Sequence, residues 1–180
     1  MKIVCTGNPT VPGIAKSLAQ LYPDIAFISR SNGYDFSQPE SFDKFKNLLA
    51  DYDVFINHSQ LTGDAQRQLL TIAREVWTHG HVINIGSVLE FPMWEWIEPA
   101  AGEEKRKLRD LSLSLSSEHF KTTHLILGGL QSCNGDPLRI HTDNVANTIK
   151  WILEYDCHVP LLYVDRVSDE LVKHYNSIKP

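Results

Sequence analysis

Short apolar segments alternate with longer amphipathic segments along most of the chain. Runs of five or six residues rich in Ile, Val, Leu and Phe predict six β-strands, over residues 2–6, 25–29, 53–57, 81–85, 123–127 and 159–164. Apolar residues at helical spacing predict five α-helices between them, over residues 13–22, 39–49, 64–77, 103–117 and 143–154. Strand and helix therefore alternate from the first element to the last.

This alternation indicates the fold class. Short strands that are apolar throughout are buried on both faces, so the sheet is expected to be parallel with helices on each side. Right-handed crossovers then give a doubly wound, three-layer, Rossmann-like α/β fold, and we expect residues 1–180 to form one such domain. Ligands bind beyond the carboxyl ends of the strands in sheets of this kind, so the residues that follow each strand are the candidates for function.

The composition excludes several other classes of protein. With 17 basic and 22 acidic residues the formal net charge is −5, and a nucleic-acid or anionic-membrane surface would need a basic face instead. The odd set Cys5, Cys133 and Cys157 argues against a disulfide framework and suits a reducing cytoplasm. We expect a cytoplasmic protein with no membrane span, no signal peptide and no metal site. His79 and His81 are two apart, but no further ligand follows at metal-site spacing.

A glycine-bearing loop follows the first strand and opens the first helix. Such a loop can present backbone N–H groups and the helix dipole to a pyrophosphate, and Gly7 and Gly13 fit its outer glycines. The middle glycine is missing, and its position falls on Thr10 or Val11. We assign Gly7, Thr10 and Gly13 to cofactor binding; an ordinary strand-to-helix turn is the alternative.

The second strand ends at Arg30, where a dinucleotide-binding fold places a group that reads the adenosine ribose. An acid there binds the ribose hydroxyls of NAD, whereas a basic side chain accommodates the 2′-phosphate of NADP. The guanidinium of Arg30 therefore favours NADP over NAD, unless Arg30 is simply a solvated surface residue.

Several motifs taken together resemble the short-chain dehydrogenase/reductase (SDR) family. They are Thr6-Gly7, Asp35-Phe36 ahead of a Pro-Glu helix start, Asn57 at the end of the third strand, and Ser87 after the fourth. The resemblance implies that Asp35 contacts the adenine, that Asn57 lies in the cofactor site, and that Ser87 is the catalytic serine. It also implies that Gly129, after the fifth strand, forms the turn on the nicotinamide side.

The resemblance also assigns a catalytic lysine and shows that its usual partner is missing. Lys105 follows Ser87 by 18 residues, within the usual spacing of the family, but the position of the tyrosine, four residues earlier, holds Ala101. The family tyrosine exchanges the proton that accompanies hydride transfer, and alanine exchanges none. If the helix includes position 101, Glu104 shares its face and Glu103 points elsewhere; both can equally be solvated residues of a helix start.

The resemblance implies an NADP-dependent oxidoreductase for a small carbonyl or alcohol, with impaired or lost catalysis. The alternative is a non-catalytic nucleotide-binding or regulatory module on the same fold. The chain is short after Arg30, Asn57 and Gly129, and at the last two places the family encloses its ligands. Residues 91–97, rich in aromatics, predict either a substrate or partner surface or a loop packed on the sheet edge. The helix around Lys105 forms a subunit interface in the family, so a homo-oligomer is expected.

Overall fold

The computed structural model describes residues 1–58, 64–92, 98–131, 140–155 and 158–165. The strands are β1 (Ile3–Thr6), β2 (Ala26–Ile28), β3 (Val54–Asn57), β4 (Gly80–Ile85), β5 (Phe120–Leu127), β6 (Leu130–Gln131), β7 (Ile140–His141) and β8 (Leu161–Val164). The helices are α1 (Ile14–Leu21), α2 (Pro39–Leu49), α3 (Ala65–Val76), α4 (Pro99–Leu115) and α5 (Thr142–Glu154). Single 3-10 turns follow β2 and β4, at Arg30–Asn32 and Val88–Glu90.

Six strands form one parallel sheet in the order β2-β1-β3-β4-β5-β8. The strand order reverses between β1 and β3, because the chain first proceeds to one side of β1 and then returns to the other. Loops on either side of such a reversal diverge and leave a crevice at the carboxyl edge of the sheet. The turns after β1 and β3 border this crevice.

Helices cover both faces of the sheet, as expected from strands that are apolar throughout. On one face α1 and α5 pack on the sheet through Ile14, Leu18 and Ile149, all 0–1% exposed. On the other face α2, α3 and α4 contribute Phe45, Leu69 and Leu108, which are equally buried. The doubly wound three-layer α/β architecture predicted from the sequence is therefore confirmed.

Two elements begin three or four residues earlier than their sequence pattern suggests. The helix α4 starts at Pro99 rather than 103, since proline is well tolerated in the first turn of a helix and Ala100 and Ala101 continue it. The strand β5 starts at Phe120 rather than 123, because Phe120, Lys121 and Thr122 pair with the first residues of β4. In the described part of the chain, no helix combines the length and the apolar character needed to cross a membrane.

Candidate functional site

Two clefts open at the carboxyl edge of the sheet. The Gly7 cleft, about 650 Å³, has among its lining residues Gly7, Val11, Arg30, Asp35 and His58. The Ser87 cleft, about 950 Å³, has among its lining residues His58, Ser87, Ala101, Lys105 and Gly129. Because His58 lines both, the two clefts adjoin beyond the end of β3, where the strand order reverses.

The turn from β1 to α1 forms one wall of the Gly7 cleft. Gly7 has a φ of +137°, and a Cβ at this position would lie 3.0 Å from Nδ1 of His58. Gly13, with a φ of +152°, is the N-cap of α1. Both backbone conformations are ones that side chains rarely adopt, so these two glycines are required by the turn itself.

Val11, and not Thr10, lines the cleft where a middle glycine was expected. Val11 is 52% exposed and forms part of the cleft wall. Thr10 does not line either of the two clefts: its N–H and its hydroxyl both donate to Oδ1 of Asn8, at 2.9 and 2.7 Å. Asn8 thus forms a side-chain turn that directs Thr10 away from the position predicted for it.

The segment after β2 forms the opposite wall. Its 3-10 turn is closed by Asn32, whose Oδ1 accepts the N–H of Ser29 at 2.7 Å, and the exposed side chain of Arg30 lines the cleft. The N–H and hydroxyl of Ser37 donate to Asp35 at 3.1 and 2.9 Å. These two bonds, with a smaller contribution from Arg30, lower the pKa of the Asp35 carboxyl, so it is ionised at neutral pH.

Ser87 caps the 3-10 turn that follows β4. Its Oγ accepts the N–H of Leu89 at 3.3 Å, and its own N–H donates to Oε1 of Glu90 at 2.9 Å. The serine hydroxyl keeps its hydrogen for donation elsewhere, because the bond to Leu89 uses only an oxygen lone pair. Ser87 lines the larger cleft, as its assignment requires.

A buried glutamate–histidine pair lies directly behind Ser87, and the sequence analysis missed it. Glu90 and His124 are 1% and 0% exposed, and Nε2 of His124 lies 2.8 Å from the same Glu90 oxygen that accepts the Ser87 N–H. Ser87-Val-Leu-Glu90 has the spacing of a capping box, a signal that would have identified Glu90. His124 lies in β5, 34 residues from Glu90, so no local sequence pattern identifies it as the partner of Glu90.

Lys105 projects from α4 toward the end of β4. Its ammonium donates to the carbonyl of Ile85 at 2.9 Å and to Oε1 of Gln66. Burial lowers the pKa of Lys105 to about 8, against a smaller opposing effect of Glu90. Ala101, one helical turn earlier, also lines the Ser87 cleft. Lys105 and Ala101 therefore share one wall, as the helical spacing predicts.

Three charged side chains line the same cleft near the start of α3. Arg67 pairs with Glu104 at 3.1 Å and with Asp64 at 3.6 Å. Glu103, in contrast, is exposed and pairs with Lys107 at 2.7 Å. Glu104 thus shares the face of position 101 and Glu103 does not, but Glu104 is already engaged in an ion pair.

Asn57, assigned to the cofactor site from the resemblance, is fully buried and does not line either of the two clefts. Its amide nitrogen donates to the backbone carbonyl of Gln66 and to Oδ1 of Asn84, both at 2.9 Å. In return Nε2 of Gln66 donates to the Asn57 carbonyl at 2.8 Å. Asn57 joins α3 to the sheet, and the next residue, His58, is the one that reaches the ligand space.

Gly128 and Gly129, after β5, both line the Ser87 cleft. A Cβ at Gly128 would lie 2.0 Å from Oδ1 of Asp165, so the chain leaving β8 passes directly over this glycine. Gly129 is exposed, and its carbonyl accepts the N–H of Ile140 at 2.7 Å. The position predicted for the nicotinamide-side turn therefore lies on the cleft wall.

The residues present fit a dinucleotide of the NAD(P) type. Such a ligand has two halves joined by a pyrophosphate, and here two clefts adjoin beside a glycine that has no room for a Cβ.

Within the described ranges, no three His, Cys, Asp or Glu residues are grouped to hold a metal ion. Of the aromatic segment 91–97, residues 93–97 lie outside the described part; the ring of Phe91 packs at 5.6 Å from that of Tyr163.

Three solved structures with the same fold are described as dehydrogenases. The bulky-bulky ketone specific alcohol dehydrogenase from Comamonas testosteroni is 14% identical, with a TM-score of 0.72 over 98% of this chain and 91% of that one. The 3-alpha-hydroxysteroid dehydrogenase from Pseudomonas sp. B-0831, complexed with NADH, is 16% identical, with a TM-score of 0.68 over 97% and 99%. A short chain dehydrogenase from Burkholderia cenocepacia, in complex with NADP, is 12% identical, with a TM-score of 0.59 over the whole of both chains.

No protein-family model matches the chain. No curated protein matches it in sequence either. The likeness is therefore one of three-dimensional structure, and it shows that the chain has the fold of the SDR oxidoreductases.

Proposed function

We propose that this chain binds NADP across the two clefts and acts as a slow SDR-type oxidoreductase on a small carbonyl or alcohol. The observation that carries the proposal is the junction of the clefts at His58, with Arg30 at one end and Ser87 and Lys105 at the other. The ligand space has two adjoining parts, as a dinucleotide does, and its two ends offer different chemistry. Two solved structures of this fold, one with NADH and one with NADP, support the choice of ligand class.

The preference for NADP rests on the Gly7 cleft. Ser29, Arg30 and Ser31 line it after β2, the position where an acid would bind the ribose hydroxyls of NAD. A guanidinium and two hydroxyls are donors suited to a 2′-phosphate. The carboxylate of Asp35 is turned onto Ser37 and partly neutralised by Arg30, so it does not substitute for that acid.

In the Ser87 cleft, the chain's own residues hold and polarise the substrate oxygen. A nicotinamide bound there supplies the hydride. The Ser87 hydroxyl retains its hydrogen for a carbonyl oxygen, because its bond to Leu89 uses a lone pair. Lys105 uses two donors on Gln66 and Ile85 and has a third for a ribose hydroxyl. With a pKa of about 8 it remains mostly charged at pH 7.

Ala101 limits the reaction, because the wall beside Lys105 lacks a proton donor where the family has its tyrosine. General acid–base catalysis contributes about 10²–10⁴-fold. We expect turnover to be slower than in tyrosine-containing relatives by a factor of that order. The same alanine supports a second candidate, a nucleotide-binding module with no turnover.

Binding is tested by thermal shift and tryptophan fluorescence with NADPH and NADH. NADPH should bind more tightly, and Arg30→Gln should weaken NADPH about tenfold while leaving NADH unchanged, the loss expected for one charge-assisted contact. Lys46→Gln is the matched control, since Lys46 pairs with Glu75 on α2 and α3, outside both clefts. No response to either nucleotide would refute the proposal.

Turnover is tested by restoring the missing acid. Ala101→Tyr should raise NADPH-dependent reduction of a panel of small carbonyls by about 100-fold or more, and Ala101→Phe, which adds the ring without the hydroxyl, should not. Ser87→Ala and Lys105→Ala should abolish the gain, whereas the exposed substitutions Ser114→Ala and Lys107→Ala should not. NADPH binding with no turnover in the Ala101→Tyr protein would favour the non-catalytic module.

A further inference from the structure

His58 occupies the junction of the two clefts, and the proposed function gives its side chain no chemical role. It follows β3 directly, is partly buried, and lines both the Gly7 cleft and the Ser87 cleft. Its ring lies against Gly7, where a Cβ would be 3.0 Å from Nδ1. A ligand that extends from one cleft into the other must pass this ring.

The hydrogen bonds of His58 determine which ring nitrogen is available. Nδ1 lies 3.1 Å from the carbonyl oxygen of Thr6, and the backbone N–H of His58 donates to the Thr6 hydroxyl at 2.8 Å. A carbonyl only accepts, so this bond places the hydrogen on Nδ1. Among the described residues none hydrogen-bonds Nε2. That nitrogen is an acceptor in the neutral ring and becomes a donor when the ring is protonated.

The loop after β1 offers an anion few donors. Pro9 and Pro12 have no N–H. The N–H groups of Gly7, Thr10 and Val11 already donate to Ile28, to the Asn8 side chain and to the Asn8 carbonyl, at 2.9, 2.9 and 3.5 Å. Of residues 7–12, only Asn8 has an N–H that is not already bonded to another described residue, whereas the first N–H groups of α1, from Gly13 on, remain for an anion. A donor from another element adds to this small set of backbone donors.

We propose that His58 supplies this donor: it takes up a proton from solvent when a pyrophosphate-bearing ligand spans the clefts, and its Nε2–H then hydrogen-bonds a phosphate oxygen. The proton returns to solvent when the ligand leaves. This inference deepens the proposed function and rests on it for the identity of the ligand.

The charges around His58 favour this proton uptake only when an anion is present. In the free protein, burial first and then the nearby Lys105 ammonium lower the pKa of His58, so the ring is neutral at pH 7. Arg30 and Asp35 on the β2 side, and the Asp64–Arg67–Glu104 group on the α3 and α4 side, line the same clefts. An anion placed between His58 and Lys105 offsets their repulsion and raises the pKa of the ring.

The first test follows the His58 ring itself by NMR, with the Cε1–H signal assigned by its loss in His58→Gln. The signal should titrate below pH 6.5 in the free protein. At saturating inorganic pyrophosphate, and separately at saturating NADP⁺, its midpoint should rise by at least about one pH unit, which corresponds to about tenfold tighter binding of the anion to the protonated ring. An unchanged or lowered midpoint would overturn the inference.

The second test compares affinities of NADP⁺ for the wild type and for His58→Gln between pH 8 and pH 5.5. Titration of the ligand's own phosphate affects both proteins equally, so it cancels in the ratio. The wild type should gain about tenfold more affinity on acidification than the variant. Equal pH profiles for the two proteins would overturn the inference. So would tighter binding by the wild type at high pH, which is the result expected if the neutral Nε2 accepts a ribose hydroxyl.

The two tests separate the inference from the function on which it rests. A His58 midpoint that rises with pyrophosphate, in a protein that does not bind NADP⁺ or NADPH, would support the anion contact and refute the proposed cofactor. Nucleotide binding with no effect on His58 would support the function and refute the inference. No response of the ring to either ligand and no nucleotide binding would refute both.

Discussion

At the scale of single residues, the best-defined feature is the hydrogen-bonded pair of Glu90 and His124 behind Ser87. Glu90 uses one carboxylate oxygen for both the Ser87 N–H and His124, and Arg109 lies 3.7 Å from the other oxygen. A buried carboxylate is tolerated only when it is paired and hydrogen-bonded. One oxygen of Glu90 meets this requirement, whereas the other has no hydrogen-bond partner among the described residues and has Arg109 as its nearest cation. The bond from the Ser87 N–H to Glu90 holds the backbone of Ser87 in place.

Gly86 is the residue on which this arrangement depends most. A Cβ at Gly86 would lie 2.2 Å from Oε1 of Glu90 and 2.4 Å from Nε2 of His124. We expect Gly86→Ala to lower the free energy of unfolding by about 2–3 kcal/mol, since one side chain of a packed pair has to move and lose its partner. Urea denaturation measures this. A loss below about 0.5 kcal/mol would show that the pair rearranges without cost.

At the scale of secondary-structure elements, buried polar side chains join helices to strands. Asn57 on β3 donates to Asn84 on β4, and Asn84 donates to Ser112 on α4 at 3.1 Å. The carbonyl of Ser112 then accepts the Thr122 hydroxyl of β5 at 2.6 Å. All four residues are 0% exposed. This chain of bonds connects three neighbouring strands to α4, the helix that carries Lys105, and so determines where the lysine lies.

Asn57 therefore has a structural role that stability measurements can separate from ligand binding. Asn57→Ala leaves Oδ1 of Asn84 without its donor and removes one of the bonds to the Gln66 carbonyl, which keeps its bond within α3. A buried group left unpaired costs about 1–3 kcal/mol. We expect the free energy of unfolding, measured in urea without ligand, to fall by about 2–4 kcal/mol. Asn47→Ala, on the exposed side of α2, is the matched control. Unchanged stability with weaker NADPH binding would instead support the cofactor contact implied by the resemblance.

At the scale of the whole molecule, two partly buried histidines make the fold sensitive to acid. Burial is the main reason that the pKa of His58 is lowered and that the pKa of His81 falls to about 4; His158 and Lys121 lower the latter further. In the unfolded chain both titrate near 6.5. Between pH 6.5 and about 4 the unfolded state therefore binds more protons than the folded state, so stability falls as the pH falls.

We expect the free energy of unfolding to decrease steadily from pH 7 to pH 4.5, by up to about 1.4 kcal/mol per pH unit for each histidine. The double variant His58→Gln/His81→Gln should show a flatter profile over this interval, measured by urea denaturation at fixed ionic strength. His79→Gln/His141→Gln is the control, because both side chains are exposed. Parallel profiles for the wild type and the His58/His81 variant would contradict the prediction. The carboxyls with lowered pKa, Asp35 and Glu103, titrate below this interval.

Local periodicity is sufficient to identify most of the elements of this chain and its layered architecture. In a strand, the alternation of apolar and polar residues shows whether one face or both faces are buried. In a helix, apolar residues recur every three or four positions along the buried face. The position of residues directly after a strand identified Gly7, Gly13 and Arg30 as candidates, whereas the resemblance to the SDR family assigned Ser87, Lys105 and Gly129; all six line the two clefts. The roles of these residues in binding or catalysis stay predictions.

What only the tertiary structure decided concerns contacts between residues far apart in sequence. Asn57 turned into the interior because Gln66 and Asn84 accept its amide hydrogens there, although its own Oδ1 has no hydrogen-bond partner among the described residues. The bond of Thr10 to Asn8 is, in contrast, a local contact over two residues. Glu90 met His124 across 34 residues, and His58 reached both clefts because β3 ends at the reversal of strand order. The sequence by itself determines which segments pack; which polar groups meet depends on the register and order of the strands, since hydrogen bonds form only over about 3 Å.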